Sequence, residues 1–490
     1  MKAVVVGAGL GGLSVAACLA KAGVDVTILE KNSWVGGRVH KWVHKGVRFD
    51  LGPSWYLMPK EVDRWFHALG FDRKQFYEIH RLDPAYKVIY DGESLVVPGN
   101  INKVFELFES VEQGAGERLQ FHLSNNAREY HYLMENFIRS NYNSARTILR
   151  KGMEILRFFE YSSLMSNFHS RIKKVAYDPK LQKILEYSST FLGASPYTLP
   201  APYTILNHVD FNLGTWYPLG GFSVLPEAMA KICRLLGVTI HCNEEVEMLE
   251  LKRNTISHVH SKSTTYQADL VVANADRHFV DQVLLPPKYR EMKERQWNAL
   301  PISPSVFNIF LGVKDTLNNL AHHTFFFDSD WDKHITSVYK RKEWPLDPLF
   351  YVHCPAKTDP AAAHNDVQSL FILVPLAPGV QDSPVERNRI YERVLQRLRL
   401  HANISEHTIS FSKIEGPREY KLHFNAYKSN AFGLAMTLGQ TAMLRLSNRS
   451  QKVKNLYFSG QYTIPGTGTT MSIISGELSA ERIIQEMSLS

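Results

Sequence analysis

Cysteine is scarce. The chain has four in 490 residues, Cys18, Cys233, Cys242 and Cys354, with no CxxC or other metal-ligand spacing among them. So few thiols in so long a chain exclude a disulfide scaffold and fit a reducing, cytoplasmic compartment. The 20 histidines contain no HExxH. His322-His323 and the pair His258/His260 read as loop and strand without companion ligands, so no metal is expected. Long apolar runs are lacking too. The one uncharged stretch, Ala3 to Ala20, is broken by Gly7, Gly9, Gly11 and Gly12, which argues against both a signal peptide and a membrane span. No internal repeat, low-complexity tract or Gly/Ser linker divides the chain. Lys and Arg exceed Asp and Glu by only 56 to 48, a net charge of +8. That balance permits an anionic surface as partner, demands none, and points to no nucleic acid.

What remains is the composition of a globular protein, 44% hydrophobic and 21% charged, long enough for two to four domains or one composite unit. Its amino terminus is the most informative segment. Val4-Val5-Val6 reads as a β-branched strand, and Gly7-Ala8-Gly9-Leu10-Gly11-Gly12 satisfies G-x-G-x-x-G ahead of an Ala-rich helix ending near Gly23. In this pattern one glycine makes the tight turn, another admits a pyrophosphate, and the last lets the helix pack on the strand. A second strand, Val26 to Leu29, ends in Glu30, eighteen residues past Gly12. A carboxylate there accepts both ribose hydroxyls of an adenosine and repels a 2′-phosphate, which favours FAD or NAD over NADP.

Beyond Glu30 follows Lys31-Asn32-Ser33-Trp34-Val35-Gly36-Gly37-Arg38, where paired glycines allow close backbone approach and Arg38 offers a fixed fork for phosphate oxygens. This element resembles the E-x(5)-GGR continuation of flavoproteins with two dinucleotide-binding domains, the superfamily of amine oxidases, protoporphyrinogen oxidases and carotenoid desaturases. Phe49 to Trp55 is similar to the segment that this superfamily lays along the flavin, its alternative being a surface turn. Asn455 to Gly468, continuing to Ser475-Gly476-Glu477, resembles the carboxy-terminal signature of bacterial and archaeal phytoene desaturases. Gly52 to Pro59, Phe191 to Pro196, Gly214 to Gly221 and Asn430 to Leu434 agree with that family. Two departures stand out. Ile464-Pro465-Gly466-Thr467-Gly468 replaces the V-P-G-P-G frequent in the family, and Lys428-Ser429-Asn430 replaces R-G-N, which leaves the number of desaturation steps open.

The resemblance implies an α/β fold: a Rossmann-like FAD-binding domain, a mixed-sheet substrate domain and a helical, membrane-associating region. It implies FAD, held by Gly7, Gly9, Gly11, Gly12, Glu30, Lys31, Gly36, Gly37, Arg38, Gly52, Pro53, Ser54, Trp55, Val246, Asn274, Gly460, Gln461, Gly468, Thr470 and Met471. For Val246 and Asn274 ordinary sheet core is an equal reading. The cofactor motifs fall in 1–75, 215–280 and 415–490, so that domain is expected to be discontinuous. The substrate domain is then 76–120, 180–214 and 281–414, with the helical region at 121–179. Strand-like Ser305 to Leu311 and Leu370 to Val374 would build a second, mixed or antiparallel sheet whose apolar face lines a tunnel or is plain core.

From Asn143 to Val175 the periodicity is helical, with Arg146, Arg150, Lys151 and Arg157 interleaved among apolar residues. Such a helix lies in a membrane interface or packs on the domain with its charges in solvent. The resemblance favours the first, because carotenes partition into bilayers, and it implies a peripheral enzyme acting on phytoene or a related polyene. Removing a hydride and a proton from neighbouring carbons needs a redox cofactor, since no side chain accepts a hydride. Oxygen or a quinone is the expected electron acceptor. No Ser-His-Asp or paired-carboxylate pattern is present, and no acid/base residue or oligomeric state is assigned. The alternatives are a sister carotenoid enzyme (another desaturase, isomerase, saturase or ketolase), an amine oxidase, and a non-catalytic carrier.

Overall fold

The computed structural model describes residues 1–142, 149, 152–154, 166–314 and 317–488. Five parallel strands form the first sheet, in the order Leu456–Phe458, Leu270–Ala273, Lys2–Val6, Asp25–Leu29, Thr239–His241. The central strand is buried from Ala3 to Val6, and Leu270–Ala273 along its whole length. That explains why both read as continuous apolar runs: a parallel strand is covered on both faces and has no solvent side to alternate with. Burying each valine contributes about 1.5–3 kcal/mol.

Gly7, at φ +100°, turns the chain out of the first strand into the helix Leu10–Lys21. That helix packs on Val224–Leu235 and on the last helix, Thr469–Glu486. The second contact is close because Gly476 has no side chain. A Cβ there would lie 2.6 Å from the Gly11 carbonyl oxygen and 2.5 Å from the Ser14 Cβ.

A second sheet of seven strands runs in the order Ile409–Glu415, Ser305–Val313, Gln368–Leu376, Phe350–His353, His323–Phe326, Tyr86–Ile89, Ser94–Val97. All neighbours are antiparallel except His323–Phe326 with Tyr86–Ile89, so the sheet is mixed. Ser305–Val313, an interior strand second from one edge, is buried at every position, with Ile309 opposite Ile372 and Phe310 opposite Phe371. A small antiparallel sheet, Val246–Lys252, Thr255–Ser261 and Thr265–Gln267, borders the first.

Helices Ile101–Val111 and Ala115–Leu133 pack together, and the second runs through residue 121, where the sequence reading opens its helical region. Arg146, Arg150, Lys151 and Arg157 lie outside the described residues, so the basic face of that helix has no structural counterpart here. Its carboxy-terminal part differs from expectation. Among residues 166–175 only Phe168–Ile172 is helical; it buries Phe168 and Ile172 and pairs Arg171 with Glu129 at 2.7 Å. The reason is local: Asn167 caps a new helix by accepting from the Ser170 amide. Among the described residues no helix is long and apolar enough to cross a membrane.

Candidate functional site

One cavity of about 950 Å³ runs from the carboxyl ends of the parallel strands to the second sheet. It begins at the glycine turn. Gly7, Gly9 and Gly11 line it, and a methyl group on Gly9 or Gly11 would come within 2.7 Å of the Asn274 side chain. Gly12 does not line it. A Cβ there would lie 2.1 Å from the Gly7 carbonyl oxygen, so this glycine permits helix and strand to meet.

Glu30 is buried in the wall, its pKa pushed up by desolvation against the pull of the hydrogen bonds it accepts. Those come from the amides of Ala8 at 2.8 Å and Asn32 at 2.9 Å and from Asn32 Nδ2 at 2.8 Å. Lys31 stands beside it with its ammonium already engaged by Glu245 at 3.2 Å and the Leu422 carbonyl at 2.9 Å. Val246 is the buried first residue of its strand and also lines the cavity.

Asn274 sits between the two glycine turns. It donates to the Ser459 carbonyl at 3.1 Å, and a Cβ on Gly460 would lie 2.6 Å from its amide nitrogen. Gly36, Gly37 and Arg38 continue the wall. The Arg38 guanidinium lies 5.1 Å above the Phe424 ring, donates to the Asn430 carbonyl at 3.3 Å, and keeps a buried Nε without a partner. With its amide oxygen turned toward Arg38, Gln461 accepts from both terminal nitrogens at 3.2 Å.

Opposite, Gly468 precedes the last helix, whose first-turn residues Thr469, Thr470 and Met471 line the cavity. Thr470 Oγ1 donates to the Leu57 carbonyl at 3.0 Å. Two helix amino termini thus open into one space, each with amides that have no acceptor within its own helix. Gly52, Pro53, Ser54 and Trp55 form the wall between, with Ser54 and Trp55 buried, so this segment is no surface turn. A glycine cradle, a buried carboxylate at the end of the second strand, an orphaned guanidinium nitrogen and two helix termini fit an extended dinucleotide.

Past Trp55 the cavity becomes an apolar chamber. Tyr130, Met134, Phe137, Ile205 and Val209 line one side, and Phe325, Phe327, Trp331, Ile335 and Tyr339 another. It ends at a rim where Leu149, Met153, Leu438 and Leu444 are each more than half exposed. Of these, sequence reasoning reached only Leu149, an apolar position of the amphipathic pattern after Asn143, because an apolar side chain that lines a chamber carries the same local pattern as one that fills a core.

Two polar clusters behind the chamber were also missed. Asp210 is buried and accepts from Tyr187 at 2.8 Å, Tyr86 at 3.1 Å and Thr215 at 3.2 Å. Burial lifts its pKa to about 6. His322 and His323, left without companions by the sequence, are joined by His353, which faces His323 across two antiparallel strands.

The sequence pattern described as flavin containing amine oxidoreductase matches residues 10–484. The chain is 37% identical to the carotenoid 3,4-desaturase of Haloarcula japonica over 99% of its length and 98% of that protein's. It is 30% identical to the zeta-carotene-forming phytoene desaturase of Myxococcus xanthus, over 98% of this chain and 93% of that one. The fold is similar to that of cyclohexylamine oxidase from Brevibacterium oxydans, with a TM-score of 0.59 at 13% identity and 99% of each chain covered.

Proposed function

The chain belongs to the flavin containing amine oxidoreductases and, within them, with the carotenoid desaturases, and from that premise we propose that it is an FAD-dependent desaturase adding conjugated double bonds to an apolar polyene. One observation carries the reading: a single cavity joins the dinucleotide cradle to an apolar chamber with an apolar rim. Amine oxidation, which the family name also covers, asks for polar groups at the amine end of the chamber. The side chains named there are aliphatic, thioether or aromatic, with hydroxyls only on Tyr130 and Tyr339, and no carboxylate is among them.

Glu30 would hold the adenosine ribose, and the amides at the start of Leu10–Lys21 the pyrophosphate, with Arg38 beside it. Thr470 and Met471, in the first turn of the last helix, would face the ring system. When bound, FAD supplies an acceptor for a hydride from a carbon next to an existing double bond. The chamber walls hold the chain extended and keep water from the cation that hydride loss leaves. Oxygen or a quinone is the electron acceptor we propose. Peripheral attachment to a bilayer is supported by the exposed Leu149, Met153, Leu438 and Leu444 at the rim, through which a lipid-dissolved substrate would enter.

The test is anaerobic addition of liposomes carrying phytoene or an already coloured carotenoid to the FAD-loaded protein. Loss of flavin absorbance together with a product absorbing at longer wavelength is expected. A flavin that no polyene bleaches, with peroxide formed from amines in air, would overturn the reading.

A further inference from the structure

Behind the chamber wall lies a chain of polar groups that, apart from Ser54 at its inner end, has no place in the cofactor site. Tyr351 and Ser54 both line the cavity, and the Tyr351 hydroxyl bonds to Ser54 Oγ at 2.7 Å and to His323 Nδ1 at 2.6 Å. The His323 ring stacks on Trp55, 4.2 Å between centroids, which holds the imidazole against the back of the wall. His353 Nε2 meets His322 Nε2 at 3.1 Å, and His322 Nδ1 meets Thr358 Oγ1 at 2.7 Å. All three imidazoles are buried, while Thr358 is partly open to solvent.

Only one link lacks a direct bond. The His323 and His353 rings stack with 5.5 Å between centroids, and His323 Nε2 and His353 Nδ1 are buried nitrogens without a partner. A bridging water would complete this link, two hydrogen bonds of about 2.8 Å meeting at a tetrahedral angle reaching about 4.6 Å.

We propose that Tyr351, His323, His353 and His322 form a proton exit path from the substrate chamber to Thr358 and the solvent. The proposal rests on the desaturase reading. Desaturation removes two hydrogens: the first leaves with its electron pair as hydride, and the second as a proton whose C–H pair becomes the new double bond. In a chamber lined mainly by apolar and aromatic side chains, that proton needs an acceptor at the wall. The Tyr351 oxygen receives it as the phenol's own proton passes to His323 Nδ1. His323 gives up the proton on Nε2 toward His353, His353 passes one to His322, and His322 passes one through Thr358 to water. One proton enters and one leaves, and no electrons move along the path.

The environment suits such a relay. Burial holds His322 down to about 3, and His323 and His353 well below the usual imidazole value, so each ring rests neutral with one N–H and one lone pair. The groups facing the cluster are Tyr217, whose ring lies 4.5 Å from His322 and 5.6 Å from His353, and the ion pair Arg48–Asp359. Asp50 anchors Tyr217 at 2.7 Å.

The experiment uses FAD-loaded protein with polyene-bearing liposomes in single turnover, and NMR of 15N-histidine-labelled protein without substrate to read exchange of imidazole N–H protons with water. Tyr351→Phe and His322→Phe are expected to slow product formation by at least about tenfold while retaining FAD. Imidazole added to His322→Ala is expected to restore part of the rate. In the resting protein His322→Phe is expected to slow exchange of the His323 N–H. Unchanged product formation in both phenylalanine variants, or unchanged N–H exchange, would overturn the proposal, as would a stoichiometric transition metal in the purified protein. If wild type itself converts no polyene, the desaturase reading fails, and the exchange measurement still decides whether the path exists.

Discussion

Ser14 Oγ, on the first helix, donates to the Ile473 carbonyl, on the last, across 2.7 Å. This bond ties residues 459 positions apart and sets two helix amino termini side by side at the same cavity. The cofactor cradle is therefore a property of both chain ends together, and its parts are expected to fail in different ways.

Gly12→Ala and Gly9→Ala separate packing from ligand contact. The Gly12 methyl would sit 2.1 Å from a backbone oxygen, which cannot swing away, so a loss of about 3 kcal/mol or more is expected, read as a lower unfolding midpoint in the apoprotein. At Gly9 the nearest atom, at 2.6 Å, is the end of the Asn274 side chain. Near-normal folding with reduced FAD occupancy is expected, read from the ratio of flavin to protein absorbance.

Glu30→Ala removes the acceptor for the ribose and leaves the amides of Ala8 and Asn32 without theirs. Charge-assisted hydrogen bonds of this kind are worth about 1.5–3 kcal/mol, so FAD binding is expected to weaken by about 10- to 100-fold. Titration of the apoprotein by flavin fluorescence checks it. Unchanged affinity would remove Glu30 from the site.

Leu149→Asp with Leu444→Asp is expected to lower binding to liposomes by at least about tenfold, because each exposed leucine buried in lipid contributes about 2 kcal/mol. FAD content is expected to stay unchanged, since both residues lie at the rim. Co-sedimentation with vesicles measures the first and absorbance the second.

Asp210 predicts a pH effect on stability. Its folded pKa of about 6 lies above its ordinary value of 3.8, so between these values the folded protein holds more protons than the unfolded one. Stability from this group is complete below the lower value and falls as pH rises through the upper, by about 3 kcal/mol in total. Asp210→Asn is expected to remove that slope. Urea unfolding from pH 4 to pH 8 at constant FAD, wild type against variant, would show it as a wild-type midpoint that falls relative to the variant's as pH rises.

Parts of this architecture were legible because short-range rules specify them. A β-branched run, glycines at fixed offsets and an acid after the next strand dictate a turn, a helix start and a carboxylate, whatever surrounds them. Gly36, Gly37 and Arg38 could be read in the same way. Gly12 shows the limit, since its spacing marks it as necessary while only the approach of the Gly7 carbonyl shows why. The break after residue 165 shows another, for the periodicity ran on through Asn167, where a side-chain cap starts a new helix.

By itself the sequence determined the strand–turn–helix that opens the chain, the carboxylate at its second strand and the glycine turn near its end, because each depends on neighbours a few residues away. Tertiary structure alone decided that Ser14 meets Ile473, that Tyr130 and Phe325 face one chamber, and that His353 stands opposite His323. These depend on strand register and on packing between distant segments. A buried aromatic or histidine looks the same along the chain whether it faces solid core, a cavity or another imidazole.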